Sequence, residues 1–322
     1  MIESLIRFFY FFISLVIYWI NLIRAFNLEL IEKRTIDIIF VFNLSVLFFS
    51  IYFMSDVNYV FGLSVYAASF LSVLLIRNQG FFKKFTKLLK MDLSFDNSIH
   101  KISLSLSTYI LLNPVIAFAS GAGLIIILSD FLEILDIAAF QLIILVYAFV
   151  GIGFGTRKNL KQSIKRLDIK IPSLKYAIFG VILLLMVDKF IWGLFDFFIY
   201  FFQSMDPAIS EHIAEHAVVE SSNVNEVVST IKTSASTPLK IVFLSIIVGI
   251  SEELMFRGAL QPRFGNIYTS LLFASLHAQY LSSMVLLDVF IISYILGMIK
   301  ERKSTSTTIL IHIFYDVLSL IF

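Results

Sequence analysis

Six ionisable side chains near the end of the chain combine reactive chemistry with an expensive setting: Glu252, Glu253, Arg257, His277, His312 and Asp316. All interrupt strongly apolar sequence. A charge held in hydrocarbon costs roughly 2.5–3.5 kcal/mol even on lenient insertion scales, so ionisable groups there mark a functional site by default. Glutamate and histidine are side chains that move protons near neutral pH. Glu253 and Arg257 stand four residues apart, so they share a helix face and can pair. Glu252 points about 100° away on the same helix. This division gives Glu253 and Arg257 to structure and Glu252 to chemistry, as a base able to take a proton from water. His312 and Asp316 have the same i,i+4 relation and can face one cavity. Phe273 and His277 also share a face, with the phenyl ring packed beside the imidazole.

Such residues need a scaffold that holds them in lipid, and the composition supplies one. The chain of 322 residues is 59% hydrophobic and 15% charged, whereas a soluble domain carries roughly 25% charge. It therefore belongs to the membrane class. Cysteine is absent, which excludes a disulfide framework, cysteine-ligated zinc and a cysteine nucleophile. The net charge of +2 argues against a nucleic-acid partner. Apolar stretches of membrane-spanning character begin near Leu5, Ile36, Asn58, Ile102, Ile137, Tyr176, Leu239, Ile267, Met284 and Thr305. We expect an all-α, polytopic transmembrane bundle of about 8–10 helices. The first stretch reads as a retained helix rather than a signal peptide.

Charge in the connections orients the bundle. Basic connections (Arg24, Lys33 and Arg34; Arg77 to Lys101; Arg157 to Lys175; Arg263; Lys300 to Lys303) alternate with acidic ones around Asp56, Asp130 to Asp136 and the long segment 203–238. The positive-inside rule places the basic set in the cytoplasm and both termini outside. The basic segments 77–101 and 156–175 carry apolar residues too. They read either as amphipathic helices on the anionic leaflet or as simple topology determinants. At 1.5 Å rise per residue, Glu252, His277 and His312 then lie roughly 10, 15 and 12 Å deep from the cytoplasmic side. Three helices thus bring polar residues to one level, which predicts a cavity in the cytoplasmic half of the membrane.

Ser251–Arg257 (SEELMFR), Phe273–His277 (FASLH) and His312–Asp316 (HIFYD) occur in that order on successive helices. They resemble the EExxxR, FxxxH and HxxxN/D signatures of the CPBP family, the CAAX proteases and bacteriocin-processing enzymes, also called the ABI family of intramembrane glutamic endopeptidases. The resemblance covers about 239–322, and it divides the chain into an N-terminal helical scaffold, 1–238, and a protease core, 239–322, within one membrane domain. It implies an endopeptidase acting on a membrane-associated or prenylated CaaX-like peptide. It implies that Glu252 and His277 activate water, that His312 and Asp316 stabilise the oxyanion, and that Glu253, Arg257 and Phe273 support the site. No cofactor beyond the catalytic water is implied, and a metal stays open. Asp316 stands where many members have Asn, and an Asp donates a hydrogen bond only when protonated. The expected partners are a peptide or protein substrate and the lipid bilayer. The expected location is a prokaryotic plasma membrane, crossed many times.

Other readings start from other residues. His212, Glu215 and His216 fit an inverted HxxEH zinc pattern in the acidic outer segment. A metallopeptidase could instead use Glu252, Glu253, His277 and His312 as ligands. Asp188, Lys189 and Asp196, with the Glu/His cluster, could form the proton relay of an ion-coupled carrier. A non-catalytic membrane scaffold or immunity protein is the remaining class.

Overall fold

A computed structural model of the chain describes residues 15–56, 59–120, 134–205 and 207–321. Among these residues the regular elements are all helical, and β pairing is limited to an isolated bridge between Phe154 and Lys158. Among the described residues four helices are long and apolar enough to cross a bilayer: Glu29–Tyr52, Tyr59–Arg77, Leu174–Phe202 and Ser283–Arg302. Shorter apolar helices cover Leu15–Ala25, Phe140–Gly151 and Thr305–Ile321. The chain is an all-α polytopic membrane helix bundle. Part of the first expected span, and Asp130 and Glu133, lie outside the described residues.

The bundle distributes its residues as lipid requires. On the long Leu174–Met205 helix, Ile178, Phe179, Ile182, Met186 and Phe190 all face outward. Between the first helices polar groups are buried beside an apolar cluster of Ile20, Ile39, Ile76, Ile102 and Leu106. Asn43 accepts from Ser72 Oγ at 2.7 Å and from Tyr109 Oη at 2.7 Å, tying Glu29–Asp56, Tyr59–Arg77 and Ser98–Ile110 together. In hydrocarbon, hydrogen bonds and close packing hold helices together, because burial of apolar surface no longer discriminates.

The basic segments form short helices. Gln79–Leu88 is capped by Asn78, and Leu160–Arg166 by a reciprocal pair between Asn159 and Gln162. Lys83, Lys84 and Lys87 are exposed, while Phe82 is fully buried in a core with Leu75, Leu104, Phe256, Phe264, Tyr268, Leu272 and Phe273. The apolar stripe of Gln79–Leu88 therefore packs on protein. Phe85 meets Tyr268 edge-on at 6.3 Å, and Ser107 Oγ lies 2.7 Å from Tyr268 Oη. This short helix braces the segment that carries Phe273.

The segment from Pro238 onward departs from regular α geometry at Arg257 and at His277, while Glu252, Glu253, Phe273, His312 and Asp316 sit on α-helices. Pro238–Glu253, started by Thr237 and Pro238, passes into a π-helical turn over Leu254–Leu260. Arg166 satisfies carbonyls this turn leaves open, donating to Gly258 O at 2.8 Å and Ala259 O at 3.1 Å. Gln261–Ser275 follows with a break at Gly265, whose φ is +74°. An added Cβ there would lie 2.9 Å from the Lys90 carbonyl, so glycine is required by both conformation and space. Then Ser283–Arg302 and Thr305–Ile321 complete the chain. Gly249 lets Pro238–Glu253 approach Thr305–Ile321 closely: its Cβ would fall 2.7 Å from Ile313 Cγ1.

One sequence expectation is corrected here. His277 was placed about ten residues into a continuous span, but the helix ends at Ser275 and His277 lies in the turn that follows. Its ring Nδ1 sits 2.9 Å from the Phe273 carbonyl, the acceptor its own backbone N–H would use in an α-helix. That N–H bonds Ala274 O instead, at 2.9 Å. A side chain competing for the backbone acceptor ends the helix.

Candidate active site

Glu253 and Arg257 form the buried floor. Both are 0% exposed, with Arg257 Nε 3.5 Å from Glu253 Oε2 across the start of the π turn. Arg257 Nη2 also donates to Ser293 Oγ at 3.1 Å, and its guanidinium lies 5.2 Å from the centre of the Phe273 ring. The pair leaves Glu253 Oε1 free to accept from His312 Nδ1 at 3.1 Å. That bond fixes the His312 tautomer when the ring is neutral, with the proton on Nδ1 and the lone pair on Nε2.

On its other edge, His312 Nε2 lies 3.5 Å from Asp316 Oδ2 and 3.9 Å from Glu252 Oε2. Glu252, Glu253, His312 and Asp316 thus come together, as the i,i+4 relations and equal depths predicted. Glu252 is held differently from Glu253. Its Oε1 accepts from Gln141 Nε2 at 3.0 Å, and Gln141 Oε1 in turn accepts from Ser251 Oγ at 2.5 Å. Glu252 Oε2 has no hydrogen bond among the described residues and faces His312 and Asp316. Asp316 is the most open of the group, its side chain 23% exposed.

His277 joins through aromatic contacts. Its ring packs on Phe273 at 4.7 Å, Phe273 meets His312 edge-on at 6.3 Å, and Phe256 closes the far side at 4.9 Å. With Nδ1 held by the Phe273 carbonyl, His277 Nε2 has no partner among the described residues. It makes no direct hydrogen bond to Glu252 there.

Gln141, Ser251 and Ser293 escaped the reading of the sequence. Gln141 was detectable: it is the lone amide in the apolar run 137–151, and an unpaired polar group in a membrane helix needs a partner. No three His, Asp or Glu side chains converge as a metal-binding group among the described residues. His212 and Glu215 lie on the helix Pro207–Ser234 with His216, and the two histidine side chains fall outside the described set.

Comparison with known proteins converges on the same segment. A family profile described as type II CAAX prenyl endopeptidase Rce1-like matches residues 234–318. Over 62 residues the chain is 44% identical to the uncharacterized protein YpbD of Bacillus subtilis (strain 168). That stretch covers 19% of this chain and 33% of the relative. No solved structure matches the chain. The match falls on the segment that bears Glu252, Glu253, Arg257, Phe273, His277, His312 and Asp316, and it supports the resemblance of residues 234–318 to the CPBP family of CAAX-protease-like membrane proteins.

Proposed function

We propose that the protein is an intramembrane endopeptidase in which Glu252 draws a proton from water as that water attacks a peptide bond. The observation that carries this reading is the asymmetry of the Glu252 carboxylate. One oxygen is anchored by Gln141, and the other is unbonded and turned toward His312 and Asp316. A general base needs a fixed orientation and a free lone pair at the reacting side, and this carboxylate has both. His277, held through Nδ1, presents Nε2 as a second acceptor for the same water.

His312 and Asp316 would receive the charge that develops on the scissile carbonyl oxygen. His312 donates from Nε2 in its protonated form, oriented by Glu253 on the opposite nitrogen. Asp316 donates only as the neutral acid. Preorganised donors of this kind contribute about 3–4 kcal/mol each when removed from other acyl-transfer sites. Glu253, Arg257 and Phe273 hold these groups without contacting substrate. The family match supports a peptide or protein substrate in a membrane context, and we assign a membrane-associated or prenylated CaaX-like peptide. The bacterial relative supports a prokaryotic plasma membrane.

The test is cleavage by the purified protein of a panel of prenylated CaaX peptides and leader peptides, with and without chelator. Glu252→Gln and His277→Ala should each abolish cleavage while the helical spectrum and melting temperature persist, and chelator should have no effect. Chelator-sensitive activity would replace the general-base route with a metal. Cleavage by Glu252→Gln at the wild-type rate would refute the assignment.

A further inference from the structure

Away from the motif cluster, the turn after Leu15–Ala25, the start of Glu29–Asp56 and the connection around residue 157 enclose a cavity of about 270 Å³. Arg24, Asn27, Glu29, Glu32 and Arg157 line it. Neither arginine has a carboxylate within ion-pair distance among the described residues. Both are instead held by asparagine carbonyls. Arg24 donates to Asn97 Oδ1, and Arg157 donates to Asn21 Oδ1 through both Nε, at 3.1 Å, and Nη2. Asn21 is itself fully buried, its amide donating to Ile17 O at 3.0 Å and Val150 O at 3.3 Å, so the acceptor cannot move. Gly153, at φ +89°, leaves room for the guanidinium: a Cβ would sit 3.3 Å from Arg157 Nη2.

Two cations aimed into one cavity repel each other. Partial burial, and then the like charge of Arg24, hold the Arg157 pKa below its ordinary value, with Glu32 offsetting part of the effect. An arrangement that leaves two guanidinium charges without a carboxylate partner, and with N–H donors beyond those given to Asn21 and Asn97, is suited to an anion bearing several oxygens. Glu29 and Glu32 work against a ligand that is only anionic. Glu32 is partly engaged by the Ser98 hydroxyl, and Glu29 is exposed. Phe26, Leu28 and Leu30, neighbours in sequence of the lining residues Asn27 and Glu29, are 68%, 43% and 64% exposed.

We infer that this cavity binds a zwitterionic phosphate ester of the phosphoethanolamine type, its phosphate between Arg24 and Arg157 and its ammonium at Glu29 and Glu32. The group could arrive on a phospholipid or as a free ester. The two share their polar chemistry and differ in whether acyl chains lie along Phe26, Leu28 and Leu30. This assignment is independent of the peptidase reading and gives the first helices a ligand of their own.

Native mass spectrometry of the full-length, delipidated protein in detergent tests it, with dioleoyl phosphatidylethanolamine, dioleoyl phosphatidylglycerol or free phosphoethanolamine added. The lipid ethanolamine ester should bind at one site and about tenfold more tightly than the glycerol ester. Arg24→Gln and Arg157→Gln should each weaken it about tenfold or more, the scale of one charge-assisted bond to phosphate. Glu29→Gln/Glu32→Gln should retain binding but shift the preference toward the glycerol ester. Free phosphoethanolamine binding as well as the lipid, with the same substitution pattern, identifies the soluble ester as the source. Binding that ignores Arg157→Gln, with an unchanged preference in the double glutamate variant, overturns the site. Should the arginine variants fail to fold, an unchanged preference in the double glutamate variant overturns it alone.

Discussion

Replacing Gln141 with leucine keeps the volume of the side chain and removes one bond to the reacting carboxylate. The wild-type amide donates to Glu252 Oε1 at 3.0 Å, and its own orientation is set by Ser251 at 2.5 Å. A hydrogen bond to a charged group is worth about 1.5–3 kcal/mol, which corresponds to about 10- to 150-fold in rate if it is needed to orient the base. The Glu252 side chain is 12% exposed, so a water can take the place of the amide without restoring the orientation. The loss should therefore fall near the lower limit, about tenfold. It should appear in kcat, with KM changed little, because Gln141 touches the base and not the substrate. Ser251→Ala acts only through Gln141 and should cost a few fold, the range of a neutral hydrogen bond. The double variant should match Gln141→Leu alone, because the two residues form one chain. Steady-state cleavage of a fluorogenic peptide in detergent, with melting temperature as the control for folding, reads all three. A Gln141→Leu protein that melts normally and cleaves within twofold of wild type would refute the orientation argument.

Arg257→Leu should destabilise the protein by about 3–5 kcal/mol, because Glu253 is left as an uncompensated buried charge; a melting temperature unchanged from wild type would count against the pair. Gly265→Ala forces a side chain into positive φ against the Lys90 carbonyl and should cost about 1–3 kcal/mol, read in the same assay. His100, outside the spans, accepts from the Ser94 N–H at Nδ1, and burial, followed by the charge of Arg263, lowers its pKa to about 4. The unfolded state takes up this proton first on acidification, so stability should fall between about pH 6.5 and pH 4. His100→Gln should flatten that part of the curve, and a thermal-unfolding series across the range would show no difference if the ring were free.

The sequence already held the pairing of Glu253 with Arg257, the packing of Phe273 beside His277 and the common level of Glu252 and His312, but it gave Glu253 to Arg257 alone, and the bond between Glu253 and His312 comes from tertiary packing. Gln141 stands out in the sequence as a lone amide in an apolar run, but its partner does not, because Gln141 meets Glu252 only through tertiary packing. The position of His277 was misjudged for a local reason: its side chain takes a backbone acceptor and ends the helix, which periodicity cannot report. The amphipathic stripe of Gln79–Leu88 was equally ambiguous, since lipid and protein both satisfy Phe82. The structure assigns it to the protein, against Tyr268 and Phe264.

The π-helical turn has a consequence for how this segment tolerates insertion and deletion. Within it the Gln261 N–H reaches back five residues to the Phe256 carbonyl, so the turn contains one residue more than an α-helix would. Removing any single residue from 254–260 allows ordinary four-residue bonding and keeps the helix continuous and equally apolar. Because the extra residue is already absorbed within the turn, positions beyond such a deletion would keep nearly the same phase about the axis. A deletion in the regular helix on either side would instead turn everything beyond it by about 100°, and Phe273 and His277 would then face away from His312. The turn is therefore the place in this segment where the spacing between the first two motifs tolerates a change of one residue without losing their common focus.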